Sequence, residues 1–394
     1  MRFCASLTVL VSGLLLAGPA AAQRAQCDGS LDPQRVVTAC TAIINGQSSS
    51  ANASLALSNR GVAYEKLGQL DRAMADFNEA IRRDSTNPHA WANRGKLYLD
   101  HGDFERALAD YDRDIQIHPN NPFALGHRAD AYFIHGDPAR AIKDYDQAIR
   151  IDSKNFALYI RRGEAFRATG DDDRAGQDFD RAIALNAKSP LAYVNRGLLR
   201  TDKQDYDRAI EDFNSAIKLD PKSSFAFGGR AGAYESEGEN VRALSDIDEA
   251  VSLEPGSAAF IARRANLYRK AGQMDRALAD YDAALKLEPN NAAAFANRGN
   301  AYAQQENYAR AIADYDQAMK LDPKLSGLFA NRGLVHEKMG EHGPAIEDLD
   351  KAIARNANDA VALYYRGLAK RGMSDASADA DIARARQLDP NVDK

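Results

Sequence analysis

The chain has 394 residues, of which 45% are hydrophobic and 27% charged, and its formal net charge is −5. That balance excludes disordered and collagen-like classes, and the mild acidity speaks against binding a phosphate backbone, so nucleic acid is not an expected partner. Three cysteines and seven histidines exclude a cysteine-rich zinc scaffold.

In chain order, the first predicted element is a leader. Arg2, an apolar run over residues 7–17 and the small residues Ala20-Ala21-Ala22 before Gln23 make the three-part pattern of a secretory signal peptide over residues 1–22. The apolar run is short for a membrane span, and no second stretch of spanning length follows. The expected mature chain is exported, to the periplasm or the extracellular space, without an integral membrane segment. Loss of the leader removes Cys4. Cys27 and Cys40 remain as an even pair in an oxidising compartment, which reads as one disulfide.

Beyond the leader the chain repeats itself. Asn59-Arg60-Gly61 returns as Asn93-Arg94-Gly95, Asn195-Arg196-Gly197, Asn297-Arg298-Gly299 and Asn331-Arg332-Gly333. Arg128, Arg162, Arg230, Arg264 and Arg366 fill the remaining steps, so arginine recurs ten times at a period of 34. Ten units occupy residues 54–393 and leave no room for a separate catalytic domain.

Each unit carries two helical patterns. Leu57, Arg60, Gly61 and Tyr64 share one helix face, and Ala73, Asp76, Phe77 and Ala80 share another. Gly68 lies between them, as do Gly102, Gly136, Gly170, Gly238, Gly272 and Gly340 in their units, and glycine there suits a left-handed helix C-cap. Proline marks the ends: Pro88, Pro122 and Pro190 open first helices, and Pro119, Pro221, Pro255, Pro289 and Pro323 follow second helices.

This unit resembles the tetratricopeptide repeat, a helix–turn–helix of 34 residues. The second unit matches the family signature at Trp91, Gly95, Tyr98, Ala107, Tyr111 and Pro119. The resemblance implies an all-α fold, a right-handed superhelical solenoid of about ten repeats, with small residues such as Gly61 and Ala73 facing each other inside a unit. Residues 23–53 read as an N-terminal cap stapled by the disulfide, with 35–44 resembling a lone second helix and Cys40 at its aromatic position. The tenth unit is one residue short and polar outside, as a terminal cap requires.

Two charged columns depart from the family pattern, which has leucine where this chain has Arg60 and its nine counterparts. Aspartate fills a second column at Asp76, Asp110, Asp144, Asp178, Asp212, Asp246, Asp280, Asp314 and Asp348, and in shifted register at Asp381. Both columns lie inside apolar stripes, and a half-buried arginine is rarely unpaired. The expectation is a structural ladder in which Arg60, Arg94, Arg128, Arg162, Arg196 and their successors meet these aspartates, within a unit or across to the next. A further Asp two residues on, as in Asp110-Tyr111-Asp112, points away from its neighbour on a helix, so no metal site is expected from that pair. Asp114 stands where other units have alanine, with His127 or Arg128 as its candidate partners.

No catalytic set emerges, no enzyme activity is expected, and no cofactor or metal is implied. His89 and His127 lie on neighbouring first helices without a recurring third ligand. His101 and His135 occupy matching turn positions and read as solvated. Family resemblance puts the first helices on a concave groove. Small residues near Ser58 (Ala92, Gly126, Gly228, Ala262) give that groove depth, and Asn59, Asn93, Asn195, Asn297 and Asn331 line it. The column resembles the asparagine ladder of O-linked N-acetylglucosamine transferases, since an amide both donates to and accepts from a peptide backbone. The implied function is an exported scaffold whose groove holds an extended peptide or partner protein. The alternative is a structural subunit of a cell-envelope assembly that docks through its convex face or its ends.

Overall fold

A computed structural model describes Cys27 and residues 32–393. The expected signal peptide over 1–22 lies outside the described residues. Among these there are twenty-one helices and no strand, so the all-α expectation holds.

The chain divides into two compact units, residues 1–199 and 200–394. In the first, the Pro33–Asn45 helix is followed by four helix pairs: Ser50–Lys66 with Leu70–Arg83, Pro88–Asp100 with Phe104–Ile117, Pro122–Ile134 with Pro138–Ile151, and Phe156–Ala168 with Asp172–Leu185. In the second, Tyr206–Leu219 precedes five pairs: Ser224–Ser236 with Asn240–Leu253, Ala258–Lys270 with Met274–Leu287, Ala292–Gln304 with Tyr308–Leu321, Leu328–Lys338 with His342–Arg355, and Ala360–Gly372 with Ala378–Leu388. The Pro190–Asp202 helix carries the division. Within each unit the two helices of a pair pack on each other, and each second helix packs on the next first helix.

Local chemistry sets the helix ends. Asn87, Asn121 and Asn155 accept backbone N–H bonds at the starts of their helices, and Pro88 and Pro122 supply the first helical residue. All seven turn glycines named above have φ between 72° and 86°, a conformation open to glycine at no steric cost.

The core repeats with the sequence. Ala73, Phe77 and Ala80 are fully buried, as are Ala175, Phe179 and Ala182. Gly61 is small for a different reason from the one expected. A Cβ added there would stand 2.5 Å from the Phe77 ring, and at Gly163 it would stand 2.6 Å from Phe179. The glycine therefore faces chiefly the aromatic ring of its own repeat. The backbone at the Ala73 column comes close as well, with the Ala311 carbonyl 3.3 Å from a Cβ at Gly299.

At the N-terminus Cys27 and Cys40 form a disulfide with a Cα–Cα distance of 5.0 Å. Cys40 is fully buried among Val36, Val37 and Ala56. The Pro33–Asn45 helix thus covers the face of the Ser50–Lys66 helix that a preceding repeat would otherwise bury.

Candidate functional site

The charged columns form a ladder that runs both ways from each arginine. Arg60 Nε and Nη2 donate to the two carboxylate oxygens of Asp76, each at 2.7 Å. The same two-bond pair joins Arg94 to Asp110, Arg128 to Asp144 and Arg162 to Asp178. It recurs at Arg230–Asp246, Arg264–Asp280, Arg298–Asp314 and Arg332–Asp348. In the shortened tenth repeat the register shift is absorbed, and Arg366 still grips Asp381. Such paired, planar contacts suit guanidinium and carboxylate geometry.

The remaining nitrogen, Nη1, reaches back to the preceding repeat. Arg128 donates to Asp112 at 2.7 Å, Arg162 to Asp146 at 2.6 Å, Arg196 to Asp180 at 2.6 Å and Arg298 to Asp282 at 2.6 Å. Arg94 uses Asn78 in the same way, and Arg60, with only the cap before it, uses Thr41 at 2.9 Å. The second aspartate of each Asp-x-Asp is therefore the link between neighbouring repeats. Hydrogen bonds donated to Asp76 raise the Arg60 pKa while burial opposes the rise. At Asp178 burial pushes the carboxyl up while Arg162 opposes it. Attraction and desolvation thus act against each other, as expected for a half-buried ion pair.

A second arginine column is one that the sequence reading missed. Arg72, Arg106, Arg140, Arg174, Arg242, Arg276 and Arg310 each lie over the aromatic residue at the Tyr64 column of their repeat, at 4.3–5.7 Å from the ring centroid. Its signal is arginine one position before Ala73 and its counterparts. Where arginine or lysine replaces the aromatic residue, that cation also reaches the carboxylate. Arg200 donates to Asp212 at 2.7 Å, and Lys370 pairs with Asp381 at 2.9 Å.

The asparagine column has a mixed role. The Asn59 amide donates to the Cys27 carbonyl at 2.6 Å, Asn195 to Glu164 at 2.9 Å and Asn331 to Asn300 at 3.0 Å. Asn195 and Asn331 tie their helix to the preceding first helix, Asn59 ties its own to the segment before the Pro33–Asn45 helix, and Asn195 is only 6% exposed. Asn93 and Asn297 are half-buried and make no side-chain hydrogen bond among the described residues. The small column before them also differs from expectation at its glycines. A Cβ on Gly126 would meet Leu158 at 3.3 Å, and one on Gly228 would meet the Phe260 ring at 2.4 Å. Glycine at these two positions admits a large side chain from the next repeat instead of deepening a groove.

The first-helix face nevertheless stays open. Leu55, Phe123, Leu191, Phe225 and Val361 occupy one column near the helix starts, and all are exposed, Phe123 by 65%. Polar contacts between adjacent repeats decorate the rest of the face. Lys96 pairs with Glu65, and Arg161 stands 3.3 Å from Asp130. Arg263 and Lys270 share Glu235 at 3.2 and 2.7 Å.

Asp114 is fully buried, and its partners are not the expected His127 or Arg128. His118 Nδ1 lies 2.9 Å from one carboxylate oxygen, and the Asn121 amide donates to the other at 3.4 Å. His118 caps the helix one turn beyond Asp114, at i+4, and its backbone N–H donates to the Asp114 carbonyl. Burial raises the Asp114 pKa, with His118, His127 and His89 opposing. Burial also lowers that of His127, whose ring stacks 5.9 Å from that of Tyr111. His135 stacks on Phe104 at 3.7 Å, and His101 Nδ1 lies 2.9 Å from the Leu97 carbonyl. No group of three or more metal-ligating side chains suited to an ion occurs among the described residues, and no helix there is long and apolar enough to cross a membrane.

Comparison with known proteins agrees with this repeat architecture. Profiles described as TPR repeat match residues 265–306 and 299–340. Profiles described as tetratricopeptide repeat match 49–88, 58–122 and 127–190, then 190–223 and 327–359. No curated protein sequence matches the chain. Among solved structures, a tetratricopeptide repeat protein from Parabacteroides merdae is 23% identical with a TM-score of 0.53, over 63% of this chain and 98% of that one. The Cut9–Hcn1 hetero-tetramer of APC/C is 17% identical with a TM-score of 0.57, over 91% and 78%. The human IFIT1 dimer with PPP-AAAA is 15% identical with a TM-score of 0.57, over 95% and 88%. At these identities the likeness is one of fold.

Proposed function

Because the chain belongs to the tetratricopeptide repeat family, we propose that it is an exported interaction scaffold whose first-helix face holds an extended segment of a partner protein. The fold suggests protein–protein interaction in general, and proteins of this family are typically non-catalytic scaffolds. The groove and the export are the specific parts of the proposal.

One observation carries the groove reading. The second helices spend many of their charged side chains on the ladder, and their exposed apolar residues, such as Leu70, Val241 and Leu287, lie at helix ends. The first helices present a column of apolar residues exposed by 44–65%, at Leu55, Phe123, Leu191, Phe225 and Val361. Beside it stand the Asn93 and Asn297 amides, without protein partners among the described residues. Apolar anchors beside amide donors suit an extended backbone with side chains set at intervals.

The test is an affinity capture from envelope extract, with the chain beginning at Gln23 as bait. A parallel bait carries Asn93→Ala, Phe123→Ser and Asn297→Ala, three exposed or half-buried positions outside the ladder. A partner held by the first bait and lost by the second supports the groove. Equal retention by both moves recognition to the second helices or the caps. Export is read separately, by sequencing the N-terminus of the chain recovered outside the cytoplasm, where Gln23 is the expected first residue.

A further inference from the structure

We propose that Arg269 is the anion-recognition point of the first-helix groove in the second unit, taking the side-chain carboxylate of an Asp or Glu within an extended acidic peptide. The proposal rests on the groove reading above and names the chemistry of its ligand.

The position of Arg269 is one this fold uses for charge pairing between adjacent repeats. Glu65 occupies the same column and meets Lys96 on the next first helix. Glu235 occupies it as well and meets Arg263 and Lys270. At Arg269 the sign is reversed, and the next first helix offers Asn297, Asn300 and Gln304 where an acid would complete the pair. Arg269 makes no ion pair among the described residues, and its Nε is buried without a hydrogen-bond partner. The Nε is shut off from solvent, so a ligand meets the terminal nitrogens of this half-buried guanidinium, and a carboxylate there supplies the counter-charge that the fold does not.

The surroundings offer further donors. The Tyr281 hydroxyl donates to Asn266 Oδ1 at 2.6 Å, and the Tyr315 hydroxyl donates to Asn300 Oδ1 at 2.8 Å. Asn331 also donates to that Asn300 oxygen. With both amide oxygens used as acceptors, the NH2 groups of Asn266 and Asn300 remain as donors without a protein acceptor among the described residues. Arg269 stands within hydrogen-bonding reach of the Tyr281 hydroxyl, and its charge acts on both phenols, opposing the rise in pKa that burial causes at each. Guanidinium and amide donors thus stand around the two phenols, and the carboxylate that acts there, Asp314, is already held by Arg298. Arg263 and Lys270, already matched to Glu235, add a positive surround. Small residues continue on both sides, at Ala262, Ala296 and Ala330, so a chain can pass through rather than end there. This favours an internal acidic residue over a C-terminus.

The test titrates the full chain with pools of acetylated, amidated random dodecapeptides by fluorescence polarisation. One pool has Glu fixed at its centre and the other Gln. The chain is expected to prefer the Glu pool about tenfold, the worth of one charge-assisted contact. R269Q is expected to lose that preference while holding the Gln pool as before, with helix content unchanged, and R269K to retain most of it. Equal binding of both pools overturns the anion site and leaves the groove reading standing. Binding of neither pool overturns the groove reading and the anion site with it. A preference that survives R269Q places the carboxylate elsewhere and overturns the assignment. A Gln pool with a free C-terminus that binds better than the Glu pool overturns the internal-residue form. An oligoadenylate that displaces the Glu pool overturns the peptide as ligand.

Discussion

Three residues other than glycine hold a left-handed backbone among the described residues: Gln204 (φ 61°), Glu306 (φ 59°) and Ser374 (φ 57°). Each stands at the turn where the other seven repeats have glycine. The left-handed region costs a side chain about 1–2 kcal/mol. Glu306→Gly is therefore expected to stabilise the protein by about 1 kcal/mol, and Gly272→Ala to cost a similar amount, both read by urea denaturation. Asp114 is the other residue-scale exception. Burial holds its carboxyl above the ordinary 3.8, so its most favourable contribution lies below that value and is lost as pH rises through the folded pKa. Asp114→Ala, the residue of the other repeats, should stabilise by about 1 kcal/mol at neutral pH. The gain should shrink as the pH falls towards 4. A gain independent of pH would refute this account. The histidine that answers Asp114 stands at i+4, a spacing legible on any helix but passed over for candidates on the next one.

At the scale of the helix pair, the arginine ladder replaces an apolar contact with an ionic one. Arg298 is held by Asp314 in its own repeat and by Asp282 in the one before. Truncating one partner leaves a buried charge, so Arg298→Leu should cost about 3 kcal/mol. Arg298→Leu with Asp314→Leu should recover most of that loss, since the pair's attraction and desolvation nearly cancel. A double variant as unstable as the single one would show that the ladder adds net stability. The columns themselves were legible from the period alone. The backward link to Asp282 was not, because that aspartate lies off the apolar stripe. Only the stacking of one pair on the next brings it to the arginine, 16 residues later in the chain.

At the scale of the molecule, each repeat within a compact unit packs on its neighbours, so stability there is close to a sum over repeats and interfaces. The cap should matter most to the repeat it covers. Reducing Cys27–Cys40 opens a short loop worth about 3 kcal/mol. Hydrogen exchange should then speed up most in the Ser50–Lys66 and Leu70–Arg83 helices and least in Asp172–Leu185. Uniform acceleration across these helices would contradict a nearest-neighbour cap. Helix order, turn positions and the two charged columns are all legible in the sequence by itself, because each depends on spacing within about a turn or on a period repeated ten times. Partners across repeats depend instead on the offset at which one helix pair stacks on the next, and no local spacing encodes that offset. That stacking ties Asn195 to Glu164 and Asn331 to Asn300, fills the space beside Gly126 and Gly228 with Leu158 and Phe260, and gives Glu65 and Glu235 their cations.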